Sequence, residues 1–218
     1  MELKGIKMAV LGDSITEGHG VADKNNIYYK IVARECGVRE VYADGISGTR
    51  FARQSTESEK PRHDIDFLSR IENIDADSDL VVVFGGTNDF GHGDAPLGNP
   101  DDKTPYTFCG ACNLMCEKLI ERLPRAQIVF MGPLHRTEED NPCGSHKTEP
   151  VATLYEYVDI IKDATRKYSI PFLDLMQVYG ITPKVTVLRE LYMPDGLHPN
   201  DDGQRKIAER LKYFLLSL

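Results

Sequence analysis

No apolar run in this chain of 218 residues approaches the roughly 20 positions that a membrane-spanning helix needs. Positive charge is in deficit, with 26 lysines and arginines against 34 aspartates and glutamates and a formal net charge of -8. Binding to a phosphate backbone draws on clustered lysine and arginine, so this balance argues against a nucleic-acid partner, and equally against an anionic membrane surface. The opening Met1-Glu2-Leu3-Lys4-Gly5-Ile6-Lys7 lacks the apolar core of a signal peptide and reads as the start of a strand, so a cytoplasmic location is expected. Neither a compositional break nor an internal repeat divides the chain, and its length fits one domain over residues 1–218. Five cysteines, an odd number, give no disulfide framework. Cys109, Cys112 and Cys116 fall at helical spacing among Phe108, Met115, Leu119, Ile120 and Leu123, and no fourth ligand is spaced to match, because Cys143 lies far along a polar loop. They are expected to be core thiols rather than a metal site.

What the chain does have is alternation. Five short runs rich in β-branched residues, Ile6–Leu11, Val38–Ala43, Leu80–Phe84, Ile128–Met131 and Ile170–Leu173, are separated by amphipathic stretches. Leu80–Phe84 shows no polar alternation, as expected of a central parallel strand covered on both faces. Helical periodicity marks Ile27–Cys36, Ile65–Ile74, Thr104–Leu123 with Thr104 as N-cap and Pro105 at the first helical position, a stretch from Leu154 to Tyr168, and a last helix capped by Asn200. The pattern predicts a three-layer α/β/α, flavodoxin-like fold around a five-stranded parallel sheet.

In such a sheet ligands bind beyond the carboxyl ends of the strands. Ser14 follows the first run, Gly45–Thr49 the second, Gly85–Asp89 the third, and His135 with Arg136 the fourth, so the chemically suggestive residues collect on one edge. Near the C-terminus stands Asp195-Gly196-Leu197-His198-Pro199. A neutral serine hydroxyl is a poor nucleophile until a histidine accepts its proton and a carboxylate holds that imidazole in the right tautomer. A spacing of three lets Asp195 curl back onto the Nδ1–H of His198 and leaves Nε2 free for a serine. Read alone, Asp195-Gly196 is a turn and His198 a cap of the following helix; Gly48 is a turn residue, and Asn88-Asp89 a loop cap.

Together four segments resemble the signature blocks of the SGNH hydrolases, the GDSL-type esterases and lipases. They are Gly12-Asp13-Ser14-Ile15-Thr16-Glu17-Gly18, Gly45-Ile46-Ser47-Gly48-Thr49, Gly86-Thr87-Asn88-Asp89 and Asp195-Gly196-Leu197-His198-Pro199, in the family's order and spanning nearly the whole chain. Ile15 stands where the family name has leucine, at a position that packs rather than reacts. The resemblance implies Ser14 as nucleophile, His198 as general base and then acid, and Asp195 as its orienting partner. It places the oxyanion on the backbone N–H groups of Ser14 and Gly48 and on the Asn88 side-chain amide, with no cofactor and no metal. Chemistry agrees: fixed donors aimed at developing charge lower the barrier, glycine admits close backbone approach, and asparagine brings two N–H donors without a competing charge.

Two polar segments overhang this edge, Gly91–Lys103 with His92 and Asp94, and Pro133–Pro150 with His135, Arg136, Glu138, Glu139, Cys143 and His146. Loops of this length serve as lids, as specificity elements or as plain solvated surface. Arg136 is the preferred specificity residue, for a carboxylate or a sugar hydroxyl. Asp13 and His135 complete the candidate substrate contacts, although Asp13 also reads as a brace of the loop presenting Ser14. His92, His135 and His146 match no familiar metal-ligand spacing. With no amphipathic lid in sight, the expected partner is a small soluble carboxylic ester. The resemblance makes an O-acetylated carbohydrate the attractive candidate, since related proteins of this size include carbohydrate esterases. Whether copies associate as a homo-oligomer is left open. The alternatives are a non-catalytic ligand-binding module on the same fold, and a flavodoxin-like cofactor or phosphoacceptor domain, against which the first loop lacks a glycine-rich phosphate cradle.

Overall fold

A computed structural model describes residues 1–218. Strands β1 (Lys7–Gly12), β2 (Glu40–Gly45), β3 (Leu80–Phe84), β4 (Gln127–Met131) and β5 (Phe172–Leu173) form one sheet in the order β2-β1-β3-β4-β5, every pair parallel. Nine helices connect and cover them: α1 (Ser14–Glu17), α2 (Tyr28–Cys36), α3 (Phe67–Arg70), α4 (Thr87–His92), α5 (Phe108–Arg122), α6 (Leu154–Lys167), α7 (Leu175–Val178), α8 (Thr186–Tyr192) and α9 (Asp201–Ser217).

Side chains alternate across a strand, and here both faces are apolar. Ala9, Leu11, Val81 and Val83 point into one core with α3, α5 and α6, while Met8, Val10, Leu80 and Val82 point into the other with α2 and α9. Three layers result, as the alternation predicts. Gly12 lies level with Gly45 on one side and Phe84 on the other, so the chain leaves β1, β2 and β3 at the same height. The strand order changes direction between β1 and β3, which opens a crevice at their carboxyl ends.

Boundaries differ from the sequence reading where local hydrogen bonds override periodicity. The helix expected from Thr104 begins at Phe108, because Thr107 is extended and its Oγ1 accepts from the Gly110 N–H at 3.2 Å, while Thr104 turns back on the Tyr106 N–H. The stretch expected to be helical over 65–74 is only the single turn of α3, capped by Asp66, followed by a 3₁₀ turn over Ile71–Asn73. Pro171 lacks the N–H that a longer β5 would require. Cys109, Cys112 and Cys116 all lie on α5 as free, buried thiols. No helix is long and apolar enough to cross a membrane.

Candidate active site

Ser14 is placed by a tight reversal at the end of β1. Asp13 caps α1 by accepting the Ile15 N–H at 3.0 Å, which sets Ser14 in the first helical position, where the helix itself offers its N–H no acceptor. A Cβ on Gly12 would lie 2.0 Å from Thr16 Oγ1, so only glycine lets the helix fold directly over the strand end.

The other half comes from the turn before α9. Gly196, at φ +78°, allows Asp195 Oδ1 to accept the N–H groups of Leu197 at 2.9 Å and His198 at 2.7 Å. Asp195 Oδ2 then lies 2.6 Å from His198 Nδ1, and His198 Nε2 lies 3.0 Å from Ser14 Oγ. A carboxylate at Nδ1 demands a hydrogen there, so Nε2 presents its lone pair to the serine hydroxyl. Partial burial works against ionisation of Asp195, but the bonds from the His198 ring and the two amides prevail and hold the carboxyl well below the usual range. The arrangement can carry a proton from Ser14 onto an imidazole oriented by an ionised carboxylate.

Gly48 follows β2 and Asn88 follows β3, at the same carboxyl edge of the sheet as Ser14. Gly48 sits at φ +80° beneath His63, and its N–H donates to no protein group. Its loop is fastened by Glu17, whose Oε2 accepts the Ser47 N–H at 2.8 Å and the Ser47 hydroxyl. Asn88 stands in the first turn of α4, where Nδ2 donates to the Thr49 carbonyl at 3.0 Å and keeps its second hydrogen free of protein partners. Below them Arg70 is buried and donates to the carbonyls of Gly12 and Asp44, to the Asp44 carboxylate and to Thr49 Oγ1, tying the ends of β1 and β2 together. Asp89 is buried and accepts the N–H groups of Phe51 and Ala52, both at 2.9 Å, although burial pushes its carboxyl up to about 6.

The three candidate substrate contacts separate. Asp13 is buried under Ser14 and occupied with the Ile15 amide, and burial raises its carboxyl to about 6 against the pull of that bond, so it braces the loop instead of facing a ligand. His135 has both ring nitrogens engaged, Nδ1 with Glu139 at 2.8 Å and Nε2 with the Met176 carbonyl at 2.9 Å, which makes it a brace as well. Arg136 does approach the site. It lines a cleft of about 680 Å³ with Asp195, Gly196, His146 and Arg189, while its guanidinium donates to the Thr87 carbonyl and hydroxyl at 3.1 Å and to Ser145 Oγ at 2.5 Å. The two long loops are stitched together, since the N–H groups of Ser145 and His146 donate to the Gly91 carbonyl at 2.8 and 3.0 Å.

Sequence reasoning missed His19, whose ring centroid is 4.2 Å from that of His198. His19, Asp195 and His198 offer donor atoms within 4.8 Å of one another, so they are the residues that could share a metal ion, although Asp195 and His198 are already bonded to each other. It also missed Arg50, and it put His92 in an overhanging loop, whereas both stand behind Asn88 with His92 at the end of α4. A helical reading of 87–92 would have paired His92 with Asn88, because a spacing of four puts the two on the same face.

A parallel α/β sheet with serine, imidazole and carboxylate hydrogen-bonded in series at its carboxyl edge is the layout of a hydrolase. The model of the GDSL-like Lipase/Acylhydrolase family matches residues 10–206, and the chain belongs to that family. No curated protein matches the sequence. Among solved structures, a protein from Lactobacillus plantarum is 30% identical with a TM-score of 0.84, over 98% of both chains. A carbohydrate acetylesterase family member from Sinorhizobium meliloti is 18% identical with a TM-score of 0.65, over 97% of this chain and 98% of that one. An acetyl xylan esterase is 19% identical with a TM-score of 0.62, over 94% and 98%.

Proposed function

We propose that the chain is a serine esterase acting on a small soluble carboxylic ester through an acyl-enzyme. The observation that carries this reading is the series Ser14 Oγ, His198 Nε2, His198 Nδ1, Asp195 Oδ2, at 3.0 and 2.6 Å. Ser14 Oγ attacks the ester carbonyl carbon while His198 Nε2 takes the hydroxyl proton. The N–H groups of Ser14 and Gly48 and the free N–H of Asn88 receive the charge that gathers on the carbonyl oxygen, each such donor contributing about 3 kcal/mol of transition-state stabilisation. His198 returns the proton to the departing alcohol as the tetrahedral centre collapses. In the second half water gives a proton to His198, attacks the acyl carbon, and Ser14 leaves with that proton restored.

An O-acetylated carbohydrate is the favoured substrate class. The polar rim of Arg136, Thr137, Glu138, His146 and Arg189 suits hydroxyl groups, and the fold likeness to a carbohydrate acetylesterase and an acetyl xylan esterase points the same way. A fluorophosphonate probe, with Ser14→Ala as control and mass spectrometry of the adduct, tests the mechanism. Labelling confined to Ser14 is expected, followed by acetate release from acetylated sugars in preference to short-chain aryl esters. A folded protein that takes no label would reject the nucleophile and favour a binding module.

A further inference from the structure

Behind Asn88 runs a series of side chains whose donor and acceptor roles allow one arrangement. Arg50 is 4% exposed and anchored by Nη2, which donates to Asp64 Oδ1 at 2.8 Å and to the His63 carbonyl at 3.1 Å. Its Nη1 lies 2.9 Å from His92 Nδ1. A guanidinium has only donors, so Nδ1 must accept, and a neutral His92 carries its hydrogen on Nε2. Nε2 lies 3.2 Å from Asn88 Oδ1, where only the amide oxygen can answer that N–H. Nδ2 of Asn88 consequently donates to the Thr49 carbonyl and keeps its second N–H free of protein partners. Exchanging the amide oxygen and nitrogen would set donor against donor at His92 and acceptor against acceptor at Thr49. Burial first, and then the charges of Arg50, His63 and Arg136, press the His92 pKa down to about 4, so the ring stays neutral.

We infer that His92, its tautomer imposed by Arg50, is a positioning residue that fixes which end of the Asn88 amide faces the developing oxyanion. The inference rests on the reading of Asn88 as an oxyanion donor. It separates His92 from a side chain that merely fills space, because polarity rather than bulk is what matters.

The test compares His92→Gln with His92→Glu, alone and combined with Asn88→Ala, using 4-nitrophenyl acetate and thermal melting. Glutamine preserves the polarity, with an oxygen for Arg50 and an N–H for Asn88, and should keep kcat within a few fold. Glutamate keeps an ion pair to Arg50 but accepts on both sides, so it should turn the amide around. Its kcat should fall about 100-fold, the loss typical of one oxyanion donor, with KM nearly unchanged. In the Asn88→Ala background the glutamate should cost less than about twofold more, since the donor it acts through is already gone. In histidine-labelled protein, ¹⁵N shifts should report His92 as the Nε2–H tautomer. Equal activity of the two His92 variants, an undiminished glutamate loss on Asn88→Ala, or an Nδ1–H tautomer would each overturn the inference. Full activity of Asn88→Ala alone would instead reject the parent reading of Asn88.

Discussion

Glu17 of α1 reaches across to the loop after β2 and accepts the Ser47 backbone N–H at 2.8 Å, so the helix that begins with Ser14 also positions the neighbour of Gly48. Its other oxygen accepts from Arg62 at 2.8 Å. Ser14 and the Gly48 loop are thereby tied to each other through one carboxylate. Glu17→Ala should lower kcat on an aryl ester by about 10- to 100-fold, the scale of a small misplacement of catalytic groups, with little change in KM. Partial burial opposes ionisation of Glu17, but the bonds from Ser47 and Arg62 outweigh it and lower the pKa. The clamp is therefore present above the ordinary glutamate range and is lost as pH falls through the lowered value. An Ala variant with wild-type kcat would show that the loop holds itself.

Asp195→Asn tests the orienting carboxylate. The neutral amide can place its NH₂ against His198 Nδ1, which would force the ring hydrogen onto Nε2 and leave no lone pair for Ser14. A kcat loss of about 10³- to 10⁴-fold is expected, with the melting temperature within a few degrees of the parent. Retention of more than a tenth of the activity would mean that His198 finds its tautomer elsewhere.

Glu139 should govern acid stability. Its side chain is fully buried, and although burial raises its pKa, bonds from His135, Lys184, the Arg136 N–H and Tyr155 bring it down to about 2. A lowered carboxyl contributes stability above its unfolded pKa, and that contribution is lost as pH falls toward about 2. Glu139→Gln should be destabilised at pH 7 by about 3 kcal/mol in urea unfolding, with the gap to wild type shrinking as pH is lowered from 5 to 3. A gap that is constant with pH would assign the loss to packing alone.

How much of this was legible in the chain follows from the range of the interactions. The sheet was, because buried parallel strands write themselves as unbroken apolar runs such as Leu80–Phe84. Ser14, Asp195 and His198 were, because each sits in a short segment whose own residues shape the turn, and Asp195 and His198 bond across three positions. His19 and Arg50 were not. His19 meets His198 across 179 positions, and Arg50 meets His92 across 42, contacts that no local pattern records. His135 misled for the converse reason. Its place after β4 suggested a ligand contact, but Glu139 four residues on takes Nδ1 and a carbonyl of α7 takes Nε2. The start of α5 was misplaced at Thr104 because the cap is set by bonds at Thr107, whose hydroxyl donates to Asp102 at 3.0 Å and accepts the Gly110 N–H.

Gly48 offers the sharpest test of the proposed oxyanion hole. At φ +80° an L-residue is strained, and a Cβ there would lie 2.5 Å from His63 Cδ2. Gly48→Ala therefore carries two separable penalties, backbone strain of about 1–3 kcal/mol and a clash with a movable ring. If the Gly48 N–H serves the oxyanion, relaxing the strain must rotate that donor away, and kcat should drop about 100-fold. His63→Ala alone should leave kcat within a few fold, since its ring covers the glycine without bonding to it. The double variant removes the clash and keeps the strain, so it should recover melting temperature more than kcat. Recovery of kcat to the His63→Ala level would mean that crowding, not the direction of the N–H, caused the loss, and the hole would then rest on Ser14 and Asn88.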